Sequence, residues 1–329
     1  MAGQASKPGI RGRRTWMGVA LAVALLASAN AHAAYSYTTI DYPGTTGVTG
    51  LSGITNSGQM VGTFGPFLGT SGLGTGFLFN AGTFTPIDVP AGSLGPSAAA
   101  SGINDLGQIV GSYQDSAGFR HGFLASGGSI TIIDAPGASL TIANGINRAG
   151  QVVGSYFSSL GGGHGFIETA GDFATIDIPG ALLTNAVGIN TAGQVVGTYQ
   201  DGAGLHGFLD MGGSFSTIDA PGAVNTSVMG INDLGQIVGS FEDSAGIHHG
   251  FLANGGSFIT LDVPGASATG AAGINMSGQI VGTYQDSTGQ FHGFLAAPVP
   301  EPGTGVLWIA GCIVLAAGVR RRTAERLRG

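Results

Sequence analysis

The sequence predicts an all-β fold, a six-bladed β-propeller of four-stranded repeats about 43 residues long, and three observations predict it. First, a Gly-Ile-(Asn/Thr)-x-x-Gly-Gln block starts at Gly53, Gly102, Gly145, Gly188, Gly230 and Gly273, at intervals of 49, 43, 43, 42 and 43 residues. Second, each block is followed by a Val-Gly-(Ser/Thr)-(Tyr/Phe) run and then by Gly-Phe-(Leu/Ile), at Gly76, Gly122, Gly165, Gly207, Gly250 and Gly293. Third, the repeat is out of phase with the ends of the body. Tyr37 to Gly44 reads as a fourth strand with no first three, and His292 to Ala296 as a third strand with no fourth. Pairing the two completes the last blade, closes the ring and removes an exposed edge. A linear β-solenoid, the alternative, needs no such offset.

Within one unit the elements follow in order. Thr141 to Asn147 reads as a strand, Arg148-Ala149-Gly150 as a turn, and Gln151 to Tyr156 as a second strand. A glycine-rich loop leads to a third strand from His164 to Glu168, and a turn leads to a fourth from Phe173 to Ile178, which Pro179-Gly180 ends. The longest regular connection follows this Ile-Asp-x-Pro-Gly element, where a propeller chain crosses from the outer edge of one blade to the inner strand of the next.

Composition agrees with a turn-dense globular body. Of 329 residues 63 are glycine and only 9% are charged, while 43% are hydrophobic, so there is apolar surface to bury and no charge-driven disorder. The glycines keep no third-residue period, which excludes collagen. Basic residues gather at the ends. Between Ala34 and Pro298 only Arg120 and Arg148 stand against sixteen Asp and Glu, leaving this body at a formal −14. Nothing there would neutralise phosphates, so a nucleic-acid partner is not expected. Cys312 is the only cysteine, so no intrachain disulfide can form.

The N-terminus carries basic residues up to Arg14, an apolar run from Trp16 to Ala29 and the triplet Ala31-His32-Ala33. That order predicts a helical signal peptide over residues 1–33, cleaved before Ala34. Arg13-Arg14 leaves the twin-arginine route open beside the general secretory one. The propeller then covers residues 34–297 and a tail covers 298–329. In the tail, Val299-Pro300-Glu301-Pro302 precedes an apolar run from Thr304 to Val319 that stops at Arg320, Arg321 and Arg322. Sixteen helical residues at about 1.5 Å each give roughly 24 Å, a short membrane helix, and the arginines keep its end cytoplasmic.

This tail resembles the PEP-CTERM sorting signal of Gram-negative bacteria, which joins a Pro-Glu-Pro motif, a membrane helix and a basic end. The resemblance implies that Pro300, Glu301 and Pro302 are recognised by an exosortase-type enzyme and that the tail is removed. Residues 35 to 297 resemble the HAF family of probable extracellular repeats, named for a His-Ala-Phe element. Here the element is His-Gly-Phe at His121, His164, His206, His249 and His292, with Thr75 in the first unit. The family implies an exported repeat protein and supplies no established reaction.

The five histidines invite a transition-metal reading, but equivalent positions in successive blades spread around a ring. They are expected to be structural, hydrogen-bonded beside the buried phenylalanine, and adjacent His248 and His249 point to opposite faces of a strand. Asp41, Asp88, Asp134, Asp177, Asp219 and Asp262 of the Ile-Asp-x-Pro-Gly elements are expected to accept backbone N–H groups at turns. Loop residues Asp115, Asp201, Asp243 and Asp286 could contribute to a calcium site, although each loop offers one or two carboxylates and calcium takes six to eight oxygens. No other cofactor is expected. Residues that break the repeat, Arg120, Arg148, Glu168, Asp172, Asp210, Glu242 and His248, carry no nucleophile motif. The sequence therefore points to an exported cell-surface or matrix protein, held transiently at the inner membrane. Its expected role is structural or adhesive, with weak binding of a glycan or surface protein on a propeller face. The alternative is a propeller hydrolase of extracellular polysaccharide, which needs two acids at the right separation.

Overall fold

The structure is a computed structural model, and it describes residues 35–44, 47–65, 74–88, 93–158 and 161–300. The signal-peptide positions Ala31, Ala33 and Ala34 lie outside the described residues, as do Glu301, Pro302, the apolar run and Arg320 to Arg322. Every regular element among the described residues is a strand; none is a helix long and apolar enough to cross a membrane.

Six antiparallel four-stranded blades follow the repeat. Blade one holds β2 (Val48–Ile54), β3 (Met60–Gly65), β4 (Thr75–Asn80) and β5 (Thr83–Pro86); blade two holds β6 (Ser93–Ile103), β7 (Ile109–Asp115), β8 (Arg120–Ser126) and β9 (Ser129–Ile133). Blade three holds β10 (Ala138–Ile146), β11 (Val152–Ser158), β12 (Gly163–Thr169) and β13 (Asp172–Ile176); blade four holds β14 (Leu183–Ile189), β15 (Val195–Gln200), β16 (Leu205–Asp210) and β17 (Phe215–Ile218). Blade five holds β18 (Asn225–Ile231), β19 (Ile237–Glu242), β20 (His248–Asn254) and β21 (Ser257–Leu261). Blade six joins β22 (Ala268–Ile274), β23 (Ile280–Gln285) and β24 (Phe291–Pro298) to β1 (Tyr35–Ile40).

The closure expected from the phase of the repeat is present. Strand β1 pairs antiparallel with β24 from Tyr35 opposite Pro298 to Ile40 opposite Gly293. Blades six and one also meet at the inner strands, where Asn275 Nδ2 donates to the Thr55 carbonyl at 3.1 Å and the Met276 N–H donates to Asn56 Oδ1 at 2.8 Å. A solenoid would keep its first and last units apart, so the ring replaces that alternative.

Each residue of the Gly-Ile-Asn-x-x-Gly-Gln block has a distinct physical task. The isoleucine is buried at Ile54, Ile103, Ile146, Ile189 and Ile274 and half-buried at Ile231. The second glycine takes a left-handed turn conformation, as at Gly150 with φ +83°, and its N–H donates to the Asn147 carbonyl at 3.1 Å. Asn147 Oδ1 accepts the N–H groups of Ala149 and Gln151, and Asn147 Nδ2 donates to Gln151 Oε1 at 2.8 Å. The same amide donates to the next blade's Asn190 carbonyl at 3.1 Å. Asn104, Asn190, Asn232 and Asn275 repeat this link, giving a buried belt of inter-blade hydrogen bonds that lacks a donor only at Thr55.

Packing explains the mid-strand glycines. Phe77, Phe123, Phe166, Phe208, Phe251 and Phe294 are wholly buried, and each lies over the glycine opposite it on the second strand. A Cβ on Gly154 would stand 2.0 Å from the Ile142 carbonyl oxygen and 2.6 Å from the Phe166 ring, so no larger residue fits there. The apolar clusters cross blade boundaries; Val110 of blade two packs with Ile133, Ala143, Ile146, Val152 and Phe166. Buried threonines pin the crossovers, as where Thr141 Oγ1 accepts the Ala135 N–H at 3.1 Å.

Alternating strand direction sorts the connections into two faces. First-to-second and third-to-fourth hairpins share the turn face, while second-to-third loops and blade-to-blade crossovers share the loop face.

Candidate functional site on the loop face and axis

On the loop face one arrangement recurs in five blades. The histidine opening the third strand places Nδ1 against the aspartate ending the fourth: His121 and Asp134 at 2.9 Å, His164 and Asp177 at 3.0 Å, His206 and Asp219 at 2.9 Å, His249 and Asp262 at 2.9 Å. In blade six the fourth strand is β1, and His292 reaches Asp41 at 2.8 Å. On its other side the imidazole meets the loop aspartate, with Nε2 3.4 Å from Asp115 and Asp243 and 3.5 Å from Asp201 and Asp286. Blade three has Ser158 at the corresponding loop position. Each ring stacks on the aromatic of the second strand, such as Tyr156 on His164 with centroids 5.1 Å apart.

Asp41, Asp134, Asp177, Asp219 and Asp262 thus do something other than the expected capping of turns. Their carboxylates face histidine because the tight hairpin sets the fourth strand directly against the third. The loop aspartates do cap: Asp115 Oδ1 accepts the N–H groups of Ala117 and Phe119, and Asp243 Oδ1 those of Ala245 and Ile247. Backbone N–H groups therefore hold the Asp201 and Asp243 carboxyls below their ordinary value, with the Ala203 and Ile247 N–H groups the largest influences. Asp286 is lowered to about 2, chiefly by the Thr288 hydroxyl. Burial, the largest single influence, lowers the imidazoles of His121, His249 and His292, but the combined hydrogen bonds and charges of their aspartates outweigh it and raise them.

Blade one departs from the pattern. Thr75 replaces histidine, and Tyr42, from the crossover after β1, stacks on Phe64 at a centroid distance of 3.6 Å. The tyrosine fills the place an imidazole takes over the second-strand aromatic elsewhere.

The axis is the second candidate. In all six blades the first strand slips register by one residue before the glycine that opens the repeated block, so that Ser52, Ser101, Asn144, Val187, Met229 and Ala272 are β-bulge residues aimed at the centre. They line a cavity of about 380 Å³ that is polar on the side of blades one to three and apolar on the side of blades four to six. Its mouth on the turn face is ringed by Asn56, Asp105, Arg148, Thr191, Asp233 and Met276. Both acids are engaged: Asp105 accepts Asn56 N–H and Nδ2–H at 2.8 and 2.6 Å, and Asp233 accepts Thr191 N–H and Oγ1–H at 2.7 and 2.9 Å.

No family model matches the chain, and no curated protein sequence does. Solved structures do. A mutant of the Aleuria aurantia lectin in complex with Fucalpha1-6GlcNAc is 11% identical over 78% of this chain and 98% of that one, with a TM-score of 0.49. An AofleA mutant from Arthrobotrys oligospora is 11% identical over 79% and 86%, also at 0.49. The β-propeller domain of the Trilobed protease from Pyrococcus furiosus is 10% identical over 76% and 93%, at 0.42.

The residues that break the repeat do not converge on one site, and only Glu242 and His248, on adjacent strands of blade five, stand opposite one another. Arg148 alone of them lines the axial mouth. Arg120 donates to Ser112 Oγ at 3.0 Å, Glu168 and Asp210 accept the Gly171 and Gly213 N–H groups at hairpin turns, and Glu242 pairs in register with His248. Sequence reasoning missed Asp105 and Asp233, because a residue inside a repeated turn looks like part of the repeat. It also missed the histidine–aspartate pairs, whose signal was present: Asp134, Asp177, Asp219 and Asp262 each follow their histidine by 13 residues.

Proposed function

We propose that this is an exported, surface-sorted protein whose loop face binds extracellular glycan weakly and many times over, in a structural or adhesive role. The observation that carries the reading is the fivefold carboxylate–imidazole–aromatic group, with Asp41, Asp134, Asp177, Asp219 and Asp262 each 40–48% exposed. Phe119 at 56% exposure and Leu182 at 70% add apolar tips on the same face. Carboxylates accept hydrogen bonds from sugar hydroxyls, and apolar tips cover the C–H faces of the rings. Each contact is weak, and five on one rigid ring give avidity. Export machinery, an exosortase-type enzyme and transient anchoring by the tail follow from the order of motifs at Ala31 to Ala34 and Pro300 to Arg322.

Affinity electrophoresis of the protein through polysaccharide from its native host tests the binding. Replacing Asp177 by alanine should weaken retardation modestly, and replacing Asp41, Asp134, Asp177, Asp219 and Asp262 together should abolish it while the melting transition persists. Retardation unchanged by all five substitutions would remove the loop face as the binding site. Intact-mass analysis of the mature protein tests the sorting: the expected chain starts near Ala34 and ends near Pro300, and recovery of an intact tail from the cell surface would remove that part.

A further inference from the structure

The chain enters and leaves the propeller on a single face. Tyr35, the first residue of β1, is opposite Pro298, the last of β24, and the β24 end is the turn-face end of its blade. Pro298 lies against Gly278 of the first hairpin turn in blade six, and Pro298 and Pro300 share a surface depression with Ser277 and Gln279 of the same turn. Only residues 301–303 separate Pro300 from the apolar run that starts at Thr304. The four steps from Pro300 to Thr304 reach at most about 14 Å. Roughly 5–7 Å of that is taken up by the headgroup layer between hydrocarbon and water.

We propose that in the anchored chain the turn face lies against the bilayer surface and the loop face points away from it. The inference rests on the anchoring part of the proposed function. The turn face is suited to this occupant. Leu106 and Leu234 are each 60% exposed at the tips of hairpin turns in opposite blades, and Met276, Met211 and Val299 are exposed on the same side. The acids there are Asp105, Asp233, Glu168, Asp172 and Asp210. Asp105 and Asp233 are tied to neighbouring blades, and Glu168 and Asp210 accept N–H groups of their own hairpins. Arg148 is the only basic residue on that face among the described residues. An acidic face with apolar tips fits zwitterionic lipid better than anionic lipid. Strands of six or seven residues set the loop face about 20 Å further out, where its carboxylates and apolar tips meet ligand and not lipid.

The test uses the full chain with Cys312→Ser, added to preformed phosphatidylcholine vesicles, carrying one cysteine at a time. Leu106→Cys and Leu234→Cys report the turn face; Phe119→Cys and Ile247→Cys report the loop face. Flotation reads anchoring, and labelling by a bulky, membrane-impermeant maleimide reads orientation, each rate divided by that of the same chain unfolded in urea. Floated chains should label at least tenfold more slowly at the turn face than at the loop face. Equal rates on floated chains, or slower labelling at the loop face, overturn the orientation while anchoring stands. Chains that do not float overturn both. Met276→Cys is the second turn-face reporter if a leucine variant misfolds.

Discussion

The His292 imidazole lies 2.8 Å from the Asp41 carboxylate although 251 residues separate them in sequence. In other blades the partner aspartate follows 13 residues after the histidine, so this pair marks where the two ends of the repeat complete one another. Deleting residues 35–43 should therefore unfold the ring cooperatively, removing the ladder of β1 on β24 and a loss large against a typical total of about 5–15 kcal/mol. Terminal strands are often trimmed cheaply, and a melt like the parent's would contradict the closure. Cysteines at Ser36 and Ala297, which face each other in register, should form a crosslink in the folded monomer.

The asparagine belt makes a second prediction. Thr55 Oγ1 accepts the Gln59 N–H at 3.0 Å, as an asparagine oxygen would, but threonine has no amide to donate to the carbonyl of the next blade. Thr55→Asn finds Gln59 already placed at the fourth residue on. It should add about 0.5–1.5 kcal/mol and raise the melting temperature by roughly 2–5 °C. Asn190→Ala should lower it by more, since it leaves the Asn232 carbonyl and the Gln194 side chain without their donor. Thermal melts of the two variants that move in the same direction would contradict the belt.

The architecture was legible because a repeat multiplies each weak signal. Strand number, blade number and the closing role of Tyr37 to Pro43 all came from spacing and phase. The site was less so, because the pairing of His121 with Asp134 is made by register across a hairpin, and a reading that treats aspartate before proline as a turn residue assigns it a backbone partner. The axial residues were hidden for another reason. Ser52, Ser101, Asn144, Val187, Met229 and Ala272 look like ordinary strand positions until a one-residue slip turns them to the centre.

Zinc should bind weakly and far below five per chain. In four of the five clusters both ring nitrogens are turned to carboxylates on opposite sides, His164 meets Asp177 alone, and no three His, Cys, Asp or Glu among the described residues form a group that could hold a metal ion. Raised imidazoles add proton competition, because a metal takes the neutral ring. Calorimetry that finds several tight sites would overturn the structural assignment of the histidines.

Stability should depend on pH through the same clusters, with a maximum on the acid side of neutrality. His121, His249 and His292 are raised above their ordinary 6.5 in the fold, so their contribution is complete below 6.5 and is lost as pH rises through the folded values. Asp115, Asp201, Asp243 and Asp286 are lowered from 3.8, so their contribution is complete above 3.8 and is lost as pH falls, for Asp286 toward about 2. The two limbs leave a plateau between the ordinary carboxyl and imidazole values. The melting temperature should be highest near pH 5–6, fall on the alkaline side first, and fall again in strong acid. Replacing His121, His249 and His292 by asparagine keeps a side chain that can donate to Asp134, Asp262 and Asp41 but removes the titration. The alkaline limb should then flatten while the acid limb remains. An alkaline limb unchanged in the triple variant would mean that other groups carry it, and the clusters would lose their role in the pH response.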